Sequence, residues 1–238
     1  MKSLIVSVCL AVLCTLPAKT QDSLVASLES SLVQIAVMSP DGKKIKPMGT
    51  GFVAGADNLI VTAAHVYWRA GTRINESKGG SMIAQRTSRS GKRFRVPIKL
   101  VATDDEHDVA VFTFDPNLAK RQWPEVDIKP LSLAEKEAEM GDDVAFAGYF
   151  GDDPYPVLSK GTIAGWTSKP LDQVLIDVHI NRGQSGSPVV LLENGQVVGV
   201  AVGFVPVSGV VPTGPQQYSG LSRAAKVKYV KNLIRSRR

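Results

Sequence analysis

Short apolar runs separated by turn-forming residues constrain the fold of this chain more than any other feature. Runs rich in Val, Ile and Phe alternate with clusters of Gly, Pro and Asp, a pattern typical of β-strands and turns. Many short strands favour an all-β fold over a parallel α/β sheet. The predicted strands are Leu32–Met38, Gly51–Val53, Leu59–Thr62, Pro97–Ala102, Val109–Phe114, Val144–Gly148, Leu158–Trp166, Val174–Ile180, Pro188–Leu192 and Gln196–Val202.

Two segments show helical character, and one segment has the character of a linker. Ala134–Met140 predicts a short helical turn, and Ser222–Ile234 predicts a longer helix with Ser222 as its N-cap. The stretch Phe114–Leu131 contains three prolines and lacks strand character. It therefore predicts a connection between two lobes.

The first residues have the pattern of a secretory signal peptide. One charge, Lys2, precedes the apolar run Leu4–Leu16, so residues 1–18 predict a cleaved leader and a secreted or periplasmic protein. An uncleaved membrane anchor is the alternative, although the run is shorter than the roughly 20 residues of a spanning helix. Both cysteines, Cys9 and Cys14, lie in this segment. The mature chain is therefore expected to depend on its core rather than on disulfides.

The charge distribution does not by itself indicate a ligand. The formal net charge is +6 and the pI is about 9.3, with basic clusters in residues 86–95 and 226–238. Because these clusters show no repeated pattern of interleaved aromatic residues, they predict solvated faces and no nucleic-acid binding. The three histidines lack metal-site spacing. We therefore expect no metal and no cofactor.

Three residues carry chemical interest only when they are considered together. His65 ends an apolar run and Asp108 directly precedes one, and each alone has the ordinary interpretation of a strand-end residue. Ser185 lies between Gly183 and Gly186, which suits either a tight turn or a nucleophile. A serine hydroxyl needs a base to take its proton, and backbone N–H groups near it can stabilise an oxyanion.

The order His, Asp, Ser matches one known arrangement of a catalytic triad. The spacings are 43 and 77 residues, long enough to draw the three residues from different strands and two lobes. An α/β-hydrolase would place its serine first, in a G-x-S-x-G turn, and here Ser187 stands where the second glycine would be. An esterase is therefore the less favoured interpretation.

Three motifs resemble those of the trypsin-like (chymotrypsin-fold) serine proteases. Residues 61–65 (VTAAH) resemble the histidine motif, 108–110 (DVA) the aspartate motif and 183–186 (GQSG) the serine motif. The chain is most similar to the protease domain of the HtrA/Deg family, without its PDZ domains. Residues 180–186 (INRGQSG), 49–52 (GTGF) and 141–148 (GDDVAFAG) carry that likeness, whereas Ser187 and Pro188 are closer to the glutamyl endopeptidase branch.

The resemblance implies two antiparallel β-barrels with a C-terminal helix, over residues 24–238. It implies an N-terminal barrel over about 24–115 and a C-terminal barrel over about 131–238. His65 and Asp108 would come from the first barrel and Ser185 from the second. The N–H groups of Gly183 and Ser185 would form the oxyanion hole. Gln184 stands where trypsin has an aspartate that pairs with a new N-terminus, so activation by that ion pair is not expected.

By the same resemblance, His179, Ala201, Val202 and Gly203 would line the primary specificity pocket. His179 could bind an acidic side chain or could face away, and the second alternative is favoured. We therefore expect cleavage after small or medium apolar residues of protein or peptide substrates. The alternative function is a catalytically silent protease-like module that binds proteins. The sequence does not indicate an oligomeric state.

Overall fold

A computed structural model of the chain describes residues 18–55, 58–76, 79–88, 90–122, 128–206 and 218–236. The predicted signal peptide, apart from Ala18, lies outside the described residues and stays a prediction. Within the described residues, no helix is both long and apolar enough to cross a membrane.

Strands dominate the structure and form two antiparallel units. The first unit contains β1 (Leu32–Met38), β2 (Ile45–Val53), β3 (Leu59–Thr62), β4 (Ser81–Thr87), β5 (Arg93–Pro97), β6 (Lys99–Asp104) and β7 (Val109–Thr113). The second contains β8 (Asp143–Tyr149), β9 (Pro156–Trp166), β10 (Gln173–Ile176), β11 (Pro188–Leu191), β12 (Val197–Pro206) and β13 (Tyr218–Lys226). Four helices are described: α1 (Ala18–Ser31), α2 (Ala64–Glu76), α3 (Pro116–Gln122) and α4 (Val227–Arg235).

The two units differ in how completely they close. The second unit is a closed barrel in the order β10-β13-β12-β11-β8-β9, and the first is a curled sheet in the order β5-β4-β1-β2-β3-β7-β6. The predicted all-β class and chymotrypsin-type architecture with a C-terminal helix are thus confirmed. The exact boundaries predicted for the domains stay predictions.

A shared core joins the two units. Phe52 and Val109 of the first unit belong to the same buried cluster as Val190 and Val200 of the second, and all four are fully buried. Val230 of α4 completes this cluster. The units therefore meet through continuous apolar packing, which fixes the cleft between them.

Helix α1 is anchored to the first sheet by a half-buried arginine. The guanidinium of Arg86 on β4 donates hydrogen bonds to the carbonyls of Ser30, at 2.7 Å, and Glu29 at the end of α1. Burial lowers the pKa of Arg86. The helix also places Leu24 and Leu28 in the shared core. Sequence patterning did not predict this helix.

Two predicted helices differ from the structure. Residues 134–140 form an irregular segment, in which Ala134 N–H donates to the Val197 carbonyl at 2.9 Å. The predicted helix over Ser222–Ile234 begins only at Val227. Ser222 instead lies in β13, where its hydroxyl accepts a hydrogen bond from the Ile180 N–H at 2.8 Å. In both cases, pairing with strands of the barrel overrides local helical character.

Strand boundaries also shift at two places. The strand predicted over Pro97–Ala102 is split between β5 and β6, which are separated by Ile98. The strand predicted over Val174–Ile180 ends at Ile176, where β10 finishes. The residues that follow, including His179, therefore form a loop that leads to Ser185.

Candidate active site

His65 lies in the first turn of α2, three residues beyond the end of the predicted strand Leu59–Thr62. The Nδ1 atom of its ring is 2.7 Å from Asp108 Oδ2, and its backbone N–H donates to Asp108 Oδ1 at 2.7 Å. Asp108 lies on the turn before β7, with a φ of 60°. One carboxylate thus holds both the backbone and the ring of His65. Each of the two side chains is only 16% exposed.

This contact determines which ring nitrogen of His65 can act as a base. A carboxylate beside Nδ1 favours the tautomer with the proton on Nδ1. The Nε2 atom then keeps a free lone pair, as a general base requires. The arrangement can therefore accept a proton from a hydroxyl group in the cleft.

Ser185 lies on the loop before β11, and it lines the same cleft as His65 and Asp108. Its hydroxyl donates to the Val202 carbonyl on β12 at 3.1 Å. Among the described residues, no hydrogen bond joins the Ser185 hydroxyl to His65. Rotation about one side-chain bond would release the hydroxyl, since a neutral hydrogen bond contributes only about 0.5–1.5 kcal/mol.

The backbone around Ser185 leaves two particular N–H groups available. The N–H groups of Gln184, Gly186 and Ser187 donate to carbonyls at 3.1, 2.7 and 3.1 Å. Within the described part of the chain, the N–H groups of Gly183 and Ser185 donate to no protein acceptor. These are the two groups predicted to stabilise an oxyanion, and both are available to donate hydrogen bonds to it.

Glycine is required at two positions of this loop. Gly183 has a φ of 93°, and a Cβ there would lie 2.6 Å from the Gly151 nitrogen and the Tyr149 oxygen. Gly186 has a φ of 89°, and a Cβ there would lie 2.0 Å from the Thr50 oxygen. Both positions combine a left-handed backbone with close contact to other strands.

Thr50 of β2 holds the serine loop from the first unit, and sequence reasoning did not identify it. Its hydroxyl donates to the Gly183 carbonyl at 2.8 Å and accepts from the Tyr149 N–H at 2.9 Å. Its backbone N–H donates to the Ser185 carbonyl at 2.8 Å. Because Gly183 and Ser185 are the predicted oxyanion donors, Thr50 positions both. A buried threonine in an apolar strand is a weak sequence signal for such a role.

Gln184 folds back onto its own loop. It is 1% exposed, and its side-chain oxygen accepts a hydrogen bond from the Asn181 N–H at 2.8 Å. The loop is therefore closed locally by an amide. The resemblance implies that trypsin has an ion-pairing aspartate at this position. In this chain the Gln184 side chain is instead hydrogen-bonded within its own loop.

The residues predicted for the specificity pocket fall into two groups. His179, Val202 and Gly203 line a cleft of about 1390 Å³ that also contains the three candidate catalytic residues. Ala201 differs from the prediction, because it is fully buried and does not line the cleft. The Ala201 carbonyl on β12 accepts a hydrogen bond from the Gly186 N–H at 2.7 Å, so Ala201 anchors the serine loop to β12.

The wall of the cleft is strongly basic. Five cationic side chains belong to its described lining, whereas Asp152 is the only acidic residue there besides Asp108. His179 also lines the cleft, and its ring stacks on Phe204 with centroids 6.4 Å apart. The structure therefore contradicts the favoured alternative, in which His179 faces away from the cleft. The cationic residues are Lys46, Arg69, Arg73, Arg182 and Arg223.

Comparisons with solved structures agree with this architecture. The chain is similar to Deg5, with a TM-score of 0.63 and 20% identity over 90% of this chain and 91% of that chain. It is also similar to an M. tuberculosis protease in its active form, with a TM-score of 0.61 and 22% identity over 99% and 92% of the two chains. An HtrA-type protease with a bound tripeptide gives a TM-score of 0.64 at 18% identity, covering 90% and 62%. At these identities the likeness concerns the fold.

Comparisons with sequences add a family. Glutamyl endopeptidase of Staphylococcus aureus strain MRSA252 is 29% identical over 187 residues, which are 72% of this chain and 46% of that protein. The same enzyme of strain MW2 is 29% identical over 187 residues, with 72% and 50% covered. The chain thus spans about half the length of these curated relatives. The family model of the trypsin-like peptidase domain matches residues 49–200, so the chain belongs to the trypsin-like peptidase family.

Proposed function

We propose that this protein is an exported serine endopeptidase that hydrolyses peptide bonds through an acyl-enzyme. The proposal is carried by one observation, the double hydrogen bond of the Asp108 carboxylate to His65 in the cleft that Ser185 lines. Membership in the trypsin-like peptidase family supports it. The substrates are proteins or peptides.

The proposed mechanism assigns one task to each group. Asp108 orients His65, and Nε2 of His65 takes the proton of the Ser185 hydroxyl as its oxygen attacks the substrate carbonyl. The negative charge on the former carbonyl oxygen is stabilised by the N–H groups of Gly183 and Ser185. His65 then donates its proton to the leaving amine. Water, deprotonated by His65, then attacks the acyl carbon. The bond from this carbon to Ser185 Oγ breaks, His65 returns the proton to Oγ, and the product leaves with a new carboxyl group.

Labelling with a fluorophosphonate tests the nucleophile without knowledge of the substrate. We expect the mature protein to be labelled, Ser185→Ala to be unlabelled and His65→Ala to be labelled at a strongly reduced rate. Ser187→Ala is the matched control, because this neighbouring serine is fully buried and its loss should preserve labelling. A wild-type protein that resists labelling while folded would instead favour the protein-binding module without catalytic activity.

Substrate selection has two candidates. The sequence-based expectation of a small or medium apolar residue before the cut bond stays a prediction. The basic lining of the cleft favours an acidic residue, and the relatives are named glutamyl endopeptidases. Cleavage of a peptide library, read by mass spectrometry, separates these candidates because the preferred residue directly precedes the new carboxyl terminus.

Export follows from the pattern of residues 1–18. We expect the protein secreted by an expressing bacterium to begin after Ala18, because signal peptidase cleaves behind small residues. N-terminal sequencing of the purified protein measures this. A protein that keeps Met1 and stays with the membrane fraction would support the anchor alternative.

A further inference from the structure

We propose that Arg223 binds the side chain of the substrate residue before the cut bond and thereby makes the enzyme select a carboxylate there. This inference rests on the proposed peptidase function, which it deepens by naming the substrate class and the residue that recognises it. Arg223 lies on β13, at a position that the sequence analysis did not single out.

The position of Arg223 follows from the strand register. In the β12–β13 ladder Arg223 is paired with Gly203, and directly paired residues of antiparallel strands lie about 4.5–5.5 Å apart at Cα. The residue before Gly203 is Val202, whose carbonyl holds the Ser185 hydroxyl at 3.1 Å. Arg223 therefore lies opposite the residue that directly follows Val202, next to the carbonyl that binds the Ser185 hydroxyl.

Space for a substrate side chain exists at this place. A Cβ added to Gly203 would meet no atom within 4 Å, so the wall is open beside the partner of Arg223. His179 and Phe204 line the same cleft. Ser222, directly before Arg223, accepts a hydrogen bond from the Ile180 N–H at 2.8 Å, which ties β13 to the loop carrying His179.

The guanidinium of Arg223 lacks a partner that its chemistry requires. Its Nε is buried and has no hydrogen-bond acceptor, and no described carboxylate forms an ion pair with this side chain. A buried N–H without an acceptor is unfavourable. A carboxylate satisfies the planar guanidinium with two parallel hydrogen bonds, so an acidic side chain completes this site.

The surrounding charges favour the same ligand. Lys46, Arg69 and Arg182 line the cleft with Arg223. In the described part of the lining, Asp152 is the only acidic residue apart from Asp108, which contacts His65. A basic substrate side chain would meet repulsion near Arg223. An apolar side chain would cover the guanidinium without satisfying its Nε. Both are therefore disfavoured relative to glutamate or aspartate.

A pair of nearly isosteric substrates isolates the charge. We expect kcat/KM for a fluorogenic peptide with glutamate before the cut bond to exceed that for the glutamine peptide about 100-fold, as for desolvated charge pairs. Arg223→Met keeps most of the side-chain volume and should reduce this ratio below about threefold. Arg93→Met removes the same charge at an exposed position that does not line the cleft, and it should preserve the ratio.

A binding measurement distinguishes failure of this inference from failure of the proposed function. Ser185→Ala is titrated calorimetrically with product-like peptides ending in glutamate or glutamine, with and without Arg223→Met. At least tenfold tighter binding of the glutamate peptide, lost with Arg223→Met, supports the inference even if fluorophosphonate labelling of the wild type fails. Equal binding of the two peptides, or a glutamate preference that survives Arg223→Met, overturns it even if Ser185 is labelled normally.

Discussion

Asp108 combines a left-handed backbone with two hydrogen bonds to a single residue. Its φ is 60°, a conformation that Asp and Asn adopt more readily than most residues. Because its two carboxylate oxygens contact the backbone and the ring of His65 separately, the residue both builds the turn and sets the tautomer. These two contributions can be separated by experiment.

Asp108→Asn is expected to lower kcat about 10⁴-fold while the protein stays folded. Asparagine tolerates the same backbone conformation, but its amide cannot favour the proton on Nδ1 in the same way. Peptide turnover measures the loss, and ¹⁵N NMR of His65 reports its tautomer. Asp104→Asn is the control, since Asp104 pairs with His107 at 2.9 Å outside the cleft. An equal loss in both variants would contradict the role of Asp108.

Thr50→Val is expected to reduce kcat by about 10-fold to 100-fold with little change in KM. Valine has nearly the same shape, but it removes the hydroxyl that binds the Gly183 carbonyl and the Tyr149 N–H. The Gly183–Gln184 peptide then loses its anchor, which loosens the loop that carries the Gly183 N–H. Removing one oxyanion donor outright costs about 10²–10³ in rate. Thr50→Ser keeps the hydroxyl and should retain most of the activity. A Thr50→Val enzyme with wild-type kcat would remove Thr50 from the positioning of this loop.

At the scale of elements, one carboxylate joins the turn before β10 to the end of β13 and the start of α4. Asp172 accepts hydrogen bonds from Lys226, Lys228 and Tyr229, each at 2.6 Å. The hydrogen bonds from Lys226, then Lys228 and Tyr229, hold the pKa of Asp172 far below its ordinary range. This residue should therefore dominate the acid sensitivity of the second barrel.

Asp172→Asn is expected to flatten the stability profile in acid. Because the pKa of Asp172 is lower in the folded chain, the unfolded chain binds the proton first, and the stabilisation present above about pH 4 is lost as the pH falls below it. Above pH 5 we expect the variant to be less stable by about 1–2 kcal/mol. Asparagine suits the φ of 42° at this position.

Urea unfolding followed between pH 2 and pH 7 measures the effect of Asp172→Asn. Glu135→Gln is the matched control, because Glu135 pairs with Lys231 at 2.7 Å but is 85% exposed. It should leave the midpoint unchanged. A wild-type minus Asp172→Asn difference that stays constant down to pH 2 would contradict the assignment.

At the scale of the whole molecule, the shared core makes the two units depend on each other. Val230 of α4 is fully buried in the cluster that includes Phe52 and Val109 of the first unit and Val200 of the second. α4 packs against β6 and β7 as well as β12 and β13. Opening either unit alone would expose apolar surface of both, so the cleft should be lost together with the fold.

We expect one cooperative unfolding transition, with tryptophan fluorescence and far-UV circular dichroism coinciding. Val230→Ala should lower stability by about 1–3 kcal/mol and shift both probes equally. Val157→Ala, at a side chain that is 46% exposed, should shift neither. Two separate transitions, or a Val230→Ala shift confined to one probe, would mean that the units fold independently.

The sequence by itself determined the fold class, most strand positions and the candidate residues His65, Asp108 and Ser185. These signals are local. They consist of apolar runs bounded by turn residues and of short motifs, and both can be recognised from neighbouring residues without knowledge of tertiary contacts. β1 and β3 were predicted with the bounds that the structure has. The helices were predicted less well, because pairing of Ser222 and its neighbours with two strands outweighs their helical pattern.

Only the tertiary structure decided which distant groups support the site. Thr50 contacts Gly183 across 133 residues of sequence, and Arg223 reaches the cleft only because its strand pairs with Gly203. The partner of the Ser185 hydroxyl, the Val202 carbonyl, is likewise set by the approach of β12. Such contacts depend on strand register and on packing between the two units. Neither property is encoded in a local pattern, because each arises from the free energy of the whole fold.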